Sequence, residues 1–409
     1  MRVIGLDVHR NFAQVAILDN GVVKDHGRFA MDREAVLAFA TQMLSKEDDV
    51  VLEATGNTAV IVRLLTPFVR RVAIANPLQV RAIAWAKVKT DKIDAATLAR
   101  LHAAQFLPEV WMPSEKVELQ RRQVAERTQL VSQMTRLKNR IQSILHANLM
   151  PRETGRVYGL KGRARLEALP LPSDQMRAAL RHHDELGRLA AELAVIDRNI
   201  AEQTLGDESV RRLMTIGGVD AVVAFSVLAA IGDITRFSSP QKLVSYLGLN
   251  PSVHQSGDHP AFHGHITHQG RGHARGMLVE AAWSLAPSPG PLSAFFHRVS
   301  IKRGKQVAAV ATARKLAVLI WHMLTKQQDY TWTRPALLQF KLRKLELTAG
   351  RPSRRGGKTP GPARDYSLKA VRDQERAWLS QAEAEYRRFV AQWKDRLPGR
   401  AVARTAKGT

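Results

Sequence analysis

Four carboxylates in the first hundred residues are spaced for phosphodiester chemistry: Asp7 in VIGLDVH, Glu53 in VVLEATG, and Asp91 with Asp94 in KTDKIDA. Asp7 and Glu53 each follow or close a short apolar, β-branched run. Each is therefore expected at the carboxyl end of a strand, where open α/β sheets present ligands. Asp91 and Asp94 stand at i and i+3, which on a helix puts both side chains on one face. Left bare, four clustered carboxylates repel one another. As hard oxygen donors they suit Mg²⁺ or Mn²⁺, and paired ions of this kind stabilise the attacking and leaving oxygens at phosphorus. A single acid at a strand end is more often a solvated cap than a ligand, so the argument rests on the four together. Lys87, Lys89 and Lys92 flank the acid pair and read either as phosphate contacts or as a basic solvated face.

The elements that must position these acids follow from periodicity. Residues 2–8, 12–18 and 22–29 read as strands; Phe12, Gln14, Ala16 and Leu18 alternate along the second, and Asp19, Asn20 and Gly21 make a hairpin turn. A helix from Arg33 to Leu44, a buried strand in VVLEAT, a helix from Thr58 to Phe68, a strand from Arg71 to Ala75 and a helix opened by Pro77 follow. The order βββαβαβα is that of the ribonuclease H fold, which gathers acids at one end of its sheet. Fold order alone does not give function. Thr55, Gly56 and Asn57 read as a cap for the helix after Glu53 and receive no catalytic role.

The chain has 409 residues, 45% of them hydrophobic, enough for more than one core. Lys and Arg number 62 against 37 acidic residues, a net +25, which favours a polyanionic partner through phosphate neutralisation. Nucleic acid leads and anionic lipid competes. The sequence shows no apolar run approaching the roughly 20 residues of a spanning helix and no signal-peptide pattern, so no membrane and a cytoplasmic, nucleoid-associated bacterial location are expected. The absence of cysteine removes disulfides and thiolate zinc sites.

Beyond Pro113 the period changes. Leu130, Met134, Leu137, Ile141 and Ile144 alternate steps of four and three, as in a coiled-coil seam, and Leu186, Leu189, Leu193, Ile196 and Ile200 repeat the pattern. Pro151, Pro170 and Pro172 break the chain between them, which leaves open an intramolecular hairpin or a contact between subunits. Residues 210–250 read as two apolar helices around Gly217, Gly218 and Val219. This is either a helix-hairpin-helix whose glycines admit a phosphate or a tight turn in a helical core. A helix from Val307 to Leu324 reads as core with a basic edge at Arg314 and Lys315. The last seventy or so residues are basic, with one helix from Leu368 to Trp393 and a mobile stretch, RPSRRGGKTPGPAR, suited to a nucleic-acid backbone. Four parts are expected: 1–110, 111–205, 206–335 and 336–409.

Between Pro251 and Gly272 apolar periodicity is absent, which predicts a long polar loop before a helix. Ser256 and Gly257 sit in it with Thr267 and Arg271, and from spacing alone Ser256 is ordinarily a turn residue. His254, His259, His263, His265, His268 and His273 crowd the same segment without the spacing of a closed zinc site. Phosphate or RNA contact fits these imidazoles better, beside Arg271 and Arg275.

Taken together, GLDVH, LEATGN, KTDKIDA, the block from TIGGVD to YLGL and the Ser256–Gly257 pair resemble the DEDD transposases of insertion sequences, whose relatives include the Piv-type DNA invertases. The resemblance covers roughly residues 1–330. It implies a Holliday-junction-resolvase-like version of the ribonuclease H fold at the amino terminus, long coiled-coil helices, and a mostly helical carboxyl-terminal transposase domain that supplies a serine. By motif that serine is Ser256. The resemblance also implies donor and target DNA as partners, a structured guide RNA, and action as a homodimer or homotetramer. The segment HQSGDHPAFHGHITHQG departs from the Lys, Arg and Gly usual in relatives, as does the long basic tail.

The expected reaction is Mg²⁺-dependent attack of Ser256 on a scissile phosphate to give a phosphoserine, reversed after strand exchange. Because Ser256 lies far along the chain from Asp7, such a site must be assembled across domains or subunits. Three rivals predict different outcomes. A resolvase-type endonuclease would use water and survive Ser256→Ala. An actin-like ATPase would need a second Gly-rich phosphate loop, which is not found. A silent nucleic-acid-binding protein would be indifferent to all four acids.

Overall fold

Period-two alternation over three successive runs builds an antiparallel meander: β1 (Val3–Val8), β2 (Phe12–Asp19) and β3 (Val22–Ala30). Asn20 and Gly21 turn the chain between β2 and β3 with φ of 47° and 81°, the pair of left-handed residues that a tight hairpin requires. α1 (Arg33–Met43), β4 (Asp49–Glu53), α2 (Thr58–Leu65), β5 (Arg71–Ala75), α3 (Pro77–Ile83) and α4 (Asp91–Ala103) follow. The sheet order is β3-β2-β1-β4-β5, with β1, β4 and β5 parallel. The computed structural model describes residues 2–84, 90–151, 157–159, 161–257, 259–352 and 362–395. Lys87, Lys89 and most of RPSRRGGKTPGPAR lie outside them. Two units are resolved, Met1–Ser114 and Glu115–Thr409.

Helices cover both faces of the five-stranded sheet. Ile4, Leu6, Val15, Ile17, Val50 and Leu52 pack on Val36 and Phe39 of α1 and Ile61 and Leu65 of α2. On the other face Val3, Leu18, Val51 and Ala73 meet Val80 of α3 and Leu98 and Ala99 of α4. Each fully buried Leu or Ile contributes about 1.5–3 kcal/mol. Gly5 sets how close α4 comes. A Cβ there would lie 2.0 Å from the carbonyl oxygen of Ala95, so only glycine lets the helix backbone rest on β1.

In the second unit, α5 (Glu115–Ala147), α6 (Gly162–Glu167) and α7 (Ser173–Thr204) come first. α5 and α7 run antiparallel, with Arg127 bound to Asp197 at one end and Asn148 to Gln175 at the other. Val124 and Leu130 pack with Leu189, Ile196 and Ile200, so the hairpin alternative describes the packing within this chain. One seam position differs from expectation. Leu145, four residues after Ile141, is buried, and Ile144 is only half-buried, because a straight helix drifts from strict heptad spacing.

α8 (Glu208–Met214), α9 (Ala221–Ile231), α10 (Pro240–Tyr246), the hairpin β6 (Pro251–His254) and β7 (Phe262–Ile266), α11 (Gly272–Leu285), α12 (Pro291–Arg303), α13 (Lys305–Lys326) and α14 (Pro335–Thr348) follow, and α8–α11, α13 and α14 supply most of the larger core. α15 (Lys369–Asp395) follows. Three expectations are corrected here. The segment after Pro251 is not one long loop but pairs β6 with β7; with little apolar alternation, backbone pairing rather than a buried face defines it. The basic tail begins with a second helix, α14, whose Leu338 and Leu345 enter the core beneath a cationic exterior. By length and composition, α13 could cross a membrane, contrary to the expectation of no such run. Its Ala313, Leu316, Ala317 and Ile320 are buried in the core of this unit.

Candidate active site

β1 and β4 run in parallel register, Leu6 opposite Leu52, so Asp7 and Glu53 are the next residues on adjacent strands and point to the α4 face. α4 begins just beyond the strand ends. Thr90 caps it by accepting from the Ile93 N–H, and Asp91 and Asp94 fall in its first turn, as the i, i+3 spacing requires. Ala95, Leu98, Ala99 and His102 turn toward the sheet. At the far end His102 Nε2 lies 2.8 Å from Asp49 Oδ2, and Asp49 also binds Arg70. α4 is thus pinned at its base, held at mid-length by the close approach at Gly5, and aimed by its first turn.

Asp7 Oδ2 lies 3.1 Å from His9 Nε2, which lies 3.4 Å from Asp91 Oδ1. One donor atom from each of these three residues falls within 4.8 Å of the other two. Their side chains are 17%, 41% and 32% exposed, so the group is open to a solute. Burial raises the Asp7 carboxyl above its usual range, the His9 imidazole pulls it back, and the charges of Asp94 and Asp91 raise it further. Asp94 is therefore near enough to be felt. Glu53 and Asp94 are not in the tight group of three, and Glu53 is placed by register on the strand beside Asp7.

Sequence reasoning missed three residues around the acids. His9 is two positions past Asp7, just beyond the end of β1, where neither periodicity nor spacing marks it. Arg28 on β3 donates through Nη2 to Asp91 Oδ2 at 2.9 Å and through Nε to Gln14 Oε1 at 2.9 Å. Gln14 is fully buried, and its amide also donates to Asp25. A polar residue inside an apolar alternation was the available signal for Gln14. Arg28 had none, since its partner is 63 residues away. Lys92 pairs with Asp25.

A transposase model described as the IS116/IS110/IS902 family matches residues 210–297, and a DEDD transposase model matches residues 4–149; together they span more than half of the chain. The chain belongs to this transposase family. Over 349 residues it is 28% identical to the transposase for insertion sequence element IS1111A of Coxiella burnetii, covering 81% of this chain and 91% of that protein. It is 27% identical over 267 residues to the pilin gene-inverting protein of Moraxella bovis, covering 64% of this chain and 74% of that protein. The enzyme is a DNA transposase or recombinase. The DEDD family implies use of a divalent cation. The donor set fits one, with two carboxylates and an imidazole converging at a solvent-accessible sheet end.

The second unit of the transposase carries the remaining candidates. Ser256 is exposed between β6 and β7, with Val253, His254, Gln255, His259, Pro260 and Phe262 lining the same concavity. Arg271 precedes α11, exposed, and its Nε donates to Tyr246 Oη at 2.8 Å. Arg275 donates Nη1 to the carbonyls of Leu247 and His268, which ties α11 to the preceding turns. Gly218 is where α11 comes closest to the glycine turn, since a Cβ there would lie 2.3 Å from the Ala281 carbonyl oxygen. Gly217 beside it is exposed. The following helix end is already capped, because Asp220 accepts from the Val223 N–H. Lys341 Nζ donates to the carbonyls of Met214, Ile216 and Val219 at 2.7–2.8 Å. The turn is held from inside by that cation, which favours the tight-turn alternative for this segment.

Proposed function

We propose that this chain cuts and exchanges DNA strands as an insertion-sequence recombinase. In this reading a ribonuclease H-like first unit holds Mg²⁺ (or Mn²⁺) on Asp7, Glu53, Asp91 and Asp94, and Ser256 is the nucleophile. The observation that carries it is the convergence of Asp7 and Asp91, with His9, at the carboxyl end of β1 under the field of Asp94. When bound, divalent ions would supply charge stabilisation at a scissile phosphate. Arg28 holds Oδ2 of Asp91, and the Gly5 approach holds α4, so the carboxylates are oriented in advance. In the chemical step Ser256 Oγ forms an ester bond to phosphorus and loses its proton. The deoxyribose oxygen leaves and takes up a proton as a hydroxyl. Attack by another strand's hydroxyl reverses the exchange, so no phosphodiester energy is lost.

The net charge of +25 supports contact with more than one polyanion, consistent with donor and target DNA and a structured guide RNA bound by a homodimer or homotetramer. Lys87, Lys89 and Arg271 are the proposed backbone contacts, and Arg275, through the carbonyls of Leu247 and His268, fixes the turns that precede α11. A nicked suicide DNA substrate tests the reaction. Wild type is expected to yield a covalent protein–DNA adduct that Ser256→Ala and Asp7→Asn both abolish. Hydrolysed ends without an adduct, undiminished in Ser256→Ala, would replace the serine by water. Sequencing the RNA that copurifies is expected to give one discrete structured species; random cellular RNA would remove the guide.

A further inference from the structure

We propose that His9 Nε2 is a protein ligand of the divalent ion held by Asp7 and Asp91, and that this nitrogen biases the site toward Mn²⁺ over Mg²⁺. The inference rests on the reading that the acids hold the ion. The imidazole is placed for that role by contacts outside the acids. Its backbone N–H donates to the Phe12 carbonyl at 2.9 Å, closing the turn from β1 to β2. Its ring lies on the Phe12 ring at 4.7 Å and 32°, and the Arg28 guanidinium lies 4.4 Å from the same Phe12 ring. The turn and the ring contact leave Nε2 directed at Asp7 Oδ2 and Asp91 Oδ1.

Arg28 completes the arrangement by dividing the oxygens of Asp91. Oδ2 is held by the guanidinium, and Oδ1 is left on the side shared with His9 and Asp7. The three donors are thus two carboxylate oxygens and one imidazole nitrogen within 4.8 Å of one another, the span over which a single ion bridges its ligands. The chemistry of the donors sets the preference. Mg²⁺ favours oxygen in near-ideal octahedral geometry and gives up water reluctantly. Transition-metal ions accept imidazole readily, and Mn²⁺ among them also suits carboxylates and water. A site with a carboxylate majority and one nitrogen therefore favours Mn²⁺.

The test uses the full chain with Mn²⁺ and Mg²⁺ alone. Electron spin-echo spectroscopy of bound Mn²⁺ is expected to show ¹⁴N coupling from an imidazole, lost in His9→Gln and in Asp7→Asn. In competition titrations, His9→Gln is expected to weaken Mn²⁺ by about tenfold or more and Mg²⁺ by less, so the ratio of affinities falls. Mn²⁺ bound in an Asp7-dependent manner without ¹⁴N coupling would overturn the role of His9 and leave the acids intact. Coupling that persists in His9→Gln would come from another imidazole and would overturn it equally. Mn²⁺ binding indifferent to Asp7→Asn and Asp91→Asn would sink the metal reading itself. A Tm for each variant within a few degrees of wild type confirms that the fold is retained.

Discussion

The acid end of β1 and the glycine turn between α8 and α9 are both dense in recognisable motifs, yet they spend their polar groups differently. At the turn, Asp220 caps its own helix and Lys341 fills three carbonyls, so the charges are consumed by the fold. At the acid end, Asp7, His9 and Asp91 face one another while part-exposed, and burial raises the carboxyl of Asp7, with His9 opposing the rise and Asp94 and Asp91 adding to it. Groups satisfied by the fold report on stability; groups left in tension report on function. The glycines follow the same division. Gly5 admits a helix that carries acids, whereas Gly218 admits one that carries packing.

The largest effect expected from breaking this contrast is at Asp7. Asp7→Asn should lower DNA cleavage by about a thousandfold, since charge stabilisation of several kcal/mol depends on it. It should also raise Tm, because burial makes the ionised carboxylate costly to the folded state. The sign follows from the raised carboxyl: the folded state holds the proton more tightly than the unfolded chain, so stability is lost as pH rises through the folded value. The gap in Tm between variant and wild type should therefore open from acid to neutral pH in thermal scans.

Gly5→Ala comes next. Its Cβ meets the Ala95 carbonyl, and overpacking of this kind costs about 1–3 kcal/mol while displacing α4. Gly218→Ala should cost a similar amount by denaturant titration but leave Mn²⁺ affinity intact; loss of metal binding in both would erase the distinction between the two regions. Lys341→Met removes the amine under the turn. Burial pushes Lys341 down to about 7, against an ordinary value of 10.5. Between those values the unfolded chain retains a proton that the folded chain has released, so wild-type stability relative to the variant should rise with pH from about 7 upward. Arg271→Ala should have the smallest effect, a uniform weakening of nucleic-acid binding with the salt slope reduced by about one.

How much of this was legible depended on the range of the interaction. Strand alternation, the hairpin at Asn20 and Gly21, and the shared face of Asp91 and Asp94 are local, and the sequence pattern carried them. Arg28 and Lys341 act on partners far along the chain, and no periodicity marks such pairs. His9 stands within VIGLDVH, but what brings it to Asp91 is the turn into β2 and the Phe12 ring, which no spacing encodes. In the second unit, β6 and β7 lack an apolar face, and the basic residues of α14 concealed the two leucines that anchor it.

Asp91 and His102 lie eleven residues apart on α4, three turns, so that one stripe carries a site acid at the top and the Asp49 anchor at the bottom. A rod fixed at its foot works as a gauge: about 16 Å of helix translates the foot's position into the height and azimuth of the acid. Deleting a single residue anywhere along it would swing the carboxylate by roughly 100° even if every named side chain survived. Spacing, as much as chemistry, is therefore what this helix must preserve.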